Sequence, residues 1–473
     1  QFFGINPVHA LGWANTEVIS PYSPSHREFF NTDYISLDGG IGPTPQESLV
    51  DYAGFRQRHR AALEQAYLRF KTGADQSAFR TWQASAGSDL QQFAQFEAIS
   101  ERHGHDFRQW PQALRVAGPA AIETAGARSE FHAWLQWQAD TQINAAQTAS
   151  RDAGMSLGLY LDLAVGPRPG GAEVWMNPKT IAKGVSIGAP PDHLSPEGQS
   201  WALAAHAPGP LAEANYAPFR AVLRGLMTRC GLLRIDHALG LARSFWLADD
   251  GSPGGYITQP FASLLAVIQI EAAQAGCVVI GEDLGLVPAG FREQMNAAGL
   301  YSYAVWQFEC ASDGSFRRTE ELAPYSLACF GTHDTPTVNG FWHGTDIEWW
   351  RRVGWLDGAD RARHHAFRSR QRGSLRSICG LAGNDRAPVI IDRIHDKLAH
   401  APCELVSVQI DDALAVVEAQ NLPGTVDQHP NWRRRLPVPV EDFAATQALK
   451  DVADRMTMAR PLQPAPKDEE VST

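Results

Sequence analysis

Short apolar segments alternate with longer amphipathic segments along most of the chain. The apolar segments have the length of buried strands, and several of them end in charged residues. In the amphipathic segments apolar side chains recur at helical spacing, as Phe219, Val222 and Leu226 do. Such alternation predicts an α/β fold, in which helices flank a parallel sheet. The seven predicted strands lie within residues 1–11, 157–165, 231–240, 277–285, 303–308, 327–334 and 404–411.

Three of the predicted strands end in carboxylates. One strand carries Arg234 and ends at Asp236, a second ends at Glu282, and a third leads into His333 and Asp334. Because the carboxyl ends of parallel barrel strands form one face, we expect the three carboxylates to converge on one cleft. Carboxylates in that position suit nucleophilic and acid–base chemistry, whereas a structural ion pair between Arg234 and Asp236 would produce the same local pattern.

The pattern also predicts how the chain is divided. Residues 1–460 are expected to form the catalytic barrel, with a largely helical insertion at 40–150 and an active-site loop region at 166–212, where Gly and Pro are frequent. The Pro-rich, acidic segment 461–473 is expected to be a disordered tail. A closed barrel needs eight strand–helix units, so we expect the first unit to precede Gln1. Without that unit, exposed strand edges would make the chain unstable or self-associating.

The amino-acid composition and net charge limit the kinds of molecule that this protein is expected to bind. The 473 residues are 44% hydrophobic and 20% charged, which is typical of a soluble globular protein. A net charge of −11 argues against a nucleic-acid or anionic-membrane partner. Six scattered cysteines without a Cys-x-x-Cys pair indicate a reducing compartment and hence a cytoplasmic location. We expect no cofactor and no metal, because among the histidines only His9, His237 and His333 lie at strand ends.

Seven motifs, taken in order, give the chain a resemblance to the amylomaltases, which are the 4-α-glucanotransferases of the α-amylase clan. The resemblance covers nearly the whole chain and implies a (β/α)₈ TIM barrel with helical insertions on its rim. The motifs are Asn6-Pro-Val-His-Ala, Ser20-Pro-Tyr-Ser-Pro-Ser, Gly188-Ala-Pro-Pro-Asp, Leu233-Arg-Ile-Asp-His, Ile280-Gly-Glu-Asp-Leu-Gly, Thr332-His-Asp-Thr-Pro-Thr and Asn431-Trp-Arg-Arg-Arg.

The resemblance implies a role for each catalytic side chain. Asp236 would be the nucleophile, Glu282 the general acid/base, and Asp334 the carboxylate that holds sugar hydroxyls in the transition state. Arg234 would steady Asp236, and His333 would bind the same sugar ring. Further substrate-binding positions are implied at Tyr22, Asp192, Trp201, Phe308, His237 and Asn431.

The reaction implied is the transfer of α-1,4-linked glucan segments by a retaining double displacement. Maltodextrins would be the donors, and glucose or maltooligosaccharides the acceptors. Two alternatives stay open, namely an α-glucan hydrolase that uses the same site and a truncated chain that binds glucan without turning it over. The pair Thr258-Gln259 stands where relatives often carry an aromatic residue or His, which leaves acceptor preference open.

Overall fold

A computed structural model describes residues 1–37, 40, 48–73, 75–190 and 199–461. The chain forms two compact units, Gln1–Ser302 and Tyr303–Thr473. Asp192 and most of the predicted tail lie outside the described residues. In the described part of the chain, no helix combines the length and the apolar character that crossing a bilayer would require.

The first unit is built on a parallel sheet. The strands of the whole first unit, in this sheet and in others, are β1 (Phe2–Gly4), β2 (His9–Ala10), β3 (His26–Phe30), β4 (Gly158–Leu163), β5 (Val185–Ala189), β6 (Gln199–Leu203), β7 (Leu232–Ile235), β8 (Arg243–Ala248), β9 (Gly255–Thr258) and β10 (Val278–Gly281). Strand β11 (Leu300–Val305) begins in this unit. Strand β4 pairs in parallel with β1 and β7, and β10 pairs with β7 and with the start of β11. All four residues of β7 are buried, as expected for a strand covered on both faces.

Three long helices and one short helix account for most of residues 52–152, where the sequence predicts a helical insertion. They enclose large buried side chains such as Phe79, Trp110 and Leu135, and these belong to the same hydrophobic core as β4 and β7. The helices of the first unit are α1 (Tyr52–Gly73), α2 (Ser77–His103), α3 (Pro119–Ala125), α4 (Arg128–Asp152), α5 (Ala172–Met176), α6 (Pro208–Glu213), α7 (Ala217–Met227), α8 (Phe261–Ala275) and α9 (Phe291–Ala297).

The prediction of a loop throughout 166–212 is wrong in the described part of that region. Strands β5 and β6 pair with each other there, and β5 also pairs with β8, with Ile187 opposite Trp246. Together with β9 they form an antiparallel sheet in the order β6-β5-β8-β9. Gly and Pro are frequent in this region, so the local pattern indicated a loop, whereas the pairing partner β8 is distant in sequence.

The second unit contains the parallel pair β12 (Ser326–Cys329) and β13 (Leu405–Val406), with its own hydrophobic core around Trp306 and Phe341. Its helices are α10 (Val338–His343), α11 (Thr345–Arg352), α12 (Gly358–Cys379), α13 (Ala387–Ala399), α14 (Ile410–Ala413) and α15 (Gln447–Ala459).

Each of the seven predicted segments contains a strand or part of one, and each strand ends before its predicted segment does. Strand β11 stops at Val305, and Trp306–Phe308 forms a 3₁₀ turn. Strand β13 ends at Val406, and α14 begins at Ile410, inside the segment predicted as strand.

Candidate active site

Arg234 lies on β7 between two carboxylates. Its Nη1 donates to both oxygens of Asp162, at 2.9 and 2.7 Å, and its Nη2 lies 2.8 Å from Oδ1 of Asp236. The register pairs Asp162 on β4 with Arg234 on β7, which puts both side chains on one face of the sheet. Only 7% of the Arg234 side chain is exposed, against 19% for Asp236. The guanidinium therefore orients the Asp236 carboxylate while leaving it partly accessible.

Tyr22 closes the other side of this group. Its hydroxyl donates to Oδ2 of Asp162 at 2.6 Å. Burial, reinforced by the nearby Asp162 charge, raises the pKa of Tyr22 well above its usual value, so the phenol remains a donor. Asp162 has no role predicted from the sequence, although an Asp inside an otherwise apolar strand is the signal that marks it.

Glu282 follows β10 and is only 7% exposed. Its Oε2 accepts a hydrogen bond from the backbone N–H of His237 at 2.8 Å, and its Oε1 accepts one from Leu284 N–H at 2.9 Å. Burial raises the pKa of the Glu282 carboxyl, although the Arg234 charge and the two N–H donors oppose that rise. A raised pKa keeps the proton bound closer to neutral pH, as a general acid requires.

Asp283, the next residue, has a different environment. Its side chain is fully buried and forms an ion pair with the Arg292 guanidinium, which also donates to the Asp283 carbonyl. This carboxylate is thus committed to a structural contact. The two adjacent acids are distinguished by their surroundings, and Glu282 has the environment suited to proton transfer.

His237 and Trp201 form an aromatic contact beside Glu282. Trp201 lies on β6, and its ring meets the His237 imidazole edge to face, with the centroids 5.1 Å apart. Burial lowers the pKa of His237, so the ring is neutral over a wider pH range than usual. The antiparallel sheet thus brings Trp201 to the carboxyl end of β7.

Asp334 belongs to the second unit, where it follows β12. Its Oδ1 accepts a hydrogen bond from Asn421 Nδ2 at 2.6 Å, and its Oδ2 lies 3.3 Å from His333 Nε2. The Asp334 side chain is 42% exposed, so a ligand can reach it. The sequence does not predict a role for Asn421, because no local pattern marks an Asn in an irregular segment as the partner of a distant Asp.

Two predicted substrate-binding residues of the second unit have contrasting surroundings. Phe308 lies on the 3₁₀ turn after β11 and is 58% exposed, so its ring is available for stacking. Asn431 is buried, and its amide binds the backbone of Leu422 and Thr425. The neighbouring Trp432 ring lies 5.4 Å from that of His333.

The chain is similar to known proteins of one family. A family model described as 4-alpha-glucanotransferase matches residues 1–440. The 4-alpha-glucanotransferases of Mycobacterium bovis and Mycobacterium tuberculosis are 32% identical over 502 residues, which covers 96% of this chain and 69% of theirs. The 4-alpha-glucanotransferase of Haemophilus influenzae is 30% identical over 504 residues, covering 95% of this chain and 72% of its own.

Solved structures agree in fold. The amylomaltase from Corynebacterium glutamicum superposes with a TM-score of 0.84 at 28% identity, over 96% of this chain and 70% of that one. The amylomaltase from Streptococcus agalactiae, solved in complex with acarbose, gives a TM-score of 0.79 at 19% identity, over 97% and 92% of the two chains, and supports the fold alone. The predicted fold class, an α/β fold of the TIM-barrel type, is confirmed.

Proposed function

Because the chain belongs to the 4-alpha-glucanotransferase family, we propose that it transfers α-1,4-linked glucan segments by two successive displacements at Asp236. The family and the transferase activity predicted from the motifs are both confirmed. Maltodextrins as donors, and glucose or maltooligosaccharides as acceptors, are the substrates that we propose. The single observation that carries the mechanism is the placement of Arg234 between Asp162 and Asp236.

In the first displacement, a carboxylate oxygen of Asp236 forms a bond to the anomeric carbon of the donor while the glycosidic bond breaks. Glu282 gives its proton to the departing glycosidic oxygen, which leaves as a sugar hydroxyl. The Arg234 contact supports this role for Asp236 because it orients the carboxylate and balances its charge before attack. The raised pKa of Glu282 supports its role as the acid.

In the second displacement, an acceptor hydroxyl forms the new glycosidic bond as the glycosyl ester to Asp236 breaks. The acceptor proton passes to Glu282, which returns to its protonated state. Each cycle therefore exchanges one glycosidic bond for another and retains the anomeric configuration.

Asp334 and His333 are proposed to hold hydroxyls of the sugar ring under attack. The support is local, since Asp334 is accessible and already oriented by Asn421. Tyr22, Trp201 and Phe308 are proposed as further sugar contacts, because each offers an aromatic face or a hydroxyl. Asn431 is proposed as a further substrate contact on the strength of its motif, and its amide is also hydrogen-bonded to the backbone of Leu422 and Thr425.

Asp192 lies in one of the matched motifs but outside the described residues, so its proposed role as a sugar contact rests on the motif alone. A cytoplasmic location is proposed from the cysteines, all six of which are free thiols. Cys230 and Cys277 come within 3.8 Å at sulfur, yet that is well beyond a disulfide bond of about 2.05 Å.

Incubation with maltotriose and separation of the products tests the proposed function. Transfer yields glucose together with maltodextrins longer than maltotriose, whereas hydrolysis yields glucose and maltose alone. The Asp236→Asn variant, prepared in the same way, serves as the blank for contaminating activities. Production of glucose and maltose without longer chains would favour the hydrolase alternative.

A further inference from the structure

His237, the residue after the proposed nucleophile, has an unusual backbone conformation. Its dihedral angles, φ 47° and ψ 55°, lie in the left-handed region. Residues other than Gly are uncommon in that region, although Asn, Asp and His enter it more often than the rest, and they persist there when the surrounding structure holds them. The chain enters a 3₁₀ turn, Ala238–Leu241, directly after it.

The left-handed turn points two successive amides at Glu282, the residue that follows the neighbouring strand β10. The N–H of His237 donates to Oε2 of Glu282 at 2.8 Å, and the N–H of Ala238 donates to the Glu282 carbonyl at 2.8 Å. In the sheet ladder, Glu282 N–H in turn donates to the Ile235 carbonyl at 3.0 Å. The end of β7 and the two residues after Asp236 are thereby hydrogen-bonded to both the side chain and the main chain of the proposed acid/base, Glu282.

Packing around the turn leaves it little freedom. A Cβ atom added at Gly281 would lie 3.1 Å from the Ala238 Cβ and 2.4 Å from the Met295 sulfur, so the turn sits close against β10 because residue 281 is a glycine. On the other side the Trp201 ring contacts the His237 ring. The position of the His237 N–H is therefore set by the protein before any substrate arrives.

We propose that His237 is a positioning residue that acts through its main chain, its left-handed conformation aiming the N–H at Glu282 and so fixing the acid/base relative to the nucleophile. The inference rests on the proposed function, because it takes Glu282 as the group that moves the proton. The identity of the side chain at 237 then matters chiefly through the backbone conformation that it allows.

This role has a consequence for the pH profile. A donated N–H stabilises the ionised carboxylate, so it holds the pKa of Glu282 below the value that burial alone would produce. A variant that turns the N–H away raises that pKa. The first displacement needs protonated Glu282, so the alkaline limb of kcat/KM would move to higher pH in such a variant.

The test is a series at one position: His237→Gly, His237→Asn, His237→Ala and His237→Val. All four variants lack the imidazole, so they share whatever the ring contributes to binding. They differ in their tolerance of a positive φ, which is high for Gly and Asn and lowest for the β-branched Val. We expect kcat/KM for maltotriose to be at least about tenfold higher for Gly and Asn than for Val, as befits a disturbed general acid. The alkaline limb should move upward most in the Val variant and to a smaller extent in the Ala variant, but not in the Gly and Asn variants.

A donor with a good leaving group separates positioning from misfolding. Maltosyl fluoride needs little protonation in the first step, so kcat/KM for it should differ much less across the series. If the Val variant loses kcat/KM equally on both donors and has a lowered melting temperature, it has a folding defect. The Ala variant is then compared with the Gly and Asn variants in its place. Equal kcat/KM for maltotriose and equal alkaline limbs across the four variants would overturn the inference.

The Glu282→Gln variant, measured in parallel, distinguishes this inference from the proposed function. If Glu282→Gln keeps its activity on maltotriose, the assignment of Glu282 as the acid fails, whatever the His237 series shows. If Glu282→Gln loses activity while the four His237 variants behave alike, the proposed function stands and only the positioning role is lost.

Discussion

Asn421 donates a hydrogen bond to Asp334 at 2.6 Å across 87 residues of sequence. The segment that leads to Asn421 is also tied to the residues after Asp334. Thr337 Oγ1 donates to the Val416 carbonyl at 2.7 Å, and Asn339 Nδ2 donates to the Ala415 carbonyl at 2.8 Å. Two distant segments of the second unit thus hold Asp334 in one orientation.

Replacing Asn421 by Ala should lower kcat/KM for maltodextrins about tenfold. A hydrogen bond to a charged group contributes about 1.5–3 kcal/mol, and the exposure of this pair favours the lower end. Asn421→Asp should be worse than Asn421→Ala, because it places a second negative charge beside Asp334. Steady-state kinetics of both variants test this, and wild-type values for Asn421→Ala would contradict it.

Asp236→Asn should abolish transfer and leave the fold intact, since an amide cannot form the glycosyl ester. We expect kcat to fall by at least about a thousandfold, which corresponds to about 4 kcal/mol of barrier. Mass spectrometry must exclude deamidation back to Asp. Asp250→Asn, in the exposed turn after β8, is the matched control and should keep full activity. More than a few per cent residual activity in Asp236→Asn would remove Asp236 from its role.

Glu282→Gln should impair transfer from maltodextrins far more than transfer from a glycosyl fluoride. The fluoride leaves without a proton, so the missing acid matters little in the first step. Added azide should partly restore turnover, because it attacks the glycosyl ester without help from a base.

Asp283→Asn is the informative neighbour of Glu282→Gln. It removes the buried negative charge that pairs with Arg292, so we expect a lower melting temperature. Activity on the maltodextrin and on the glycosyl fluoride should change by the same factor. If Asp283→Asn instead shows the donor selectivity and azide rescue, the acid/base assignment belongs to Asp283.

The pH dependence of kcat/KM for wild type should follow the raised pKa of Glu282. The acid form is lost as pH rises through that value, so activity on maltodextrins should fall on an alkaline limb that lies above the usual range for Glu. With a glycosyl fluoride donor this limb should flatten. An alkaline limb of the same size with both donors would mean that another group titrates.

Asp412 should make the protein less stable as pH rises. Burial raises the pKa of Asp412 to about 7, and its Oδ1 accepts a hydrogen bond from Val338 N–H at 2.6 Å. The folded state therefore binds the proton more tightly than the unfolded chain, whose Asp pKa is about 3.9. The stability from this group is complete below about pH 4 and is lost as pH rises through about 7.

Asp412→Asn keeps the oxygen acceptor and removes the titration. Only wild type loses this stability as pH rises, so the melting temperature of Asp412→Asn should increase relative to that of wild type between pH 5 and about pH 8. Below about pH 4 the difference between the two melting temperatures should stay constant. Calorimetry across this range tests the prediction. Parallel melting curves for the two proteins at every pH would show that Asp412 does not titrate in the folded state.

Local sequence was enough to predict the strands and to mark the carboxylates at their ends as candidate catalytic groups. The positions of β7, β10 and β12 follow from short apolar runs, because burial of consecutive apolar residues is what a parallel strand requires. Asp236, Glu282 and Asp334 stood out because a carboxylate at the end of such a run needs a partner or a task. The motifs around them then led to the family and its activity.

Contacts between residues distant in sequence determine the features that could not be predicted from the sequence. Asp162 and Tyr22 meet across 140 residues, and β5 finds β8 through pairing that no local period encodes. The left-handed turn at His237 is likewise held by contacts with Glu282 and Trp201. Periodicity reports which side chains one segment buries, whereas the partner of a polar side chain depends on which distant segments the folded chain brings within hydrogen-bonding distance.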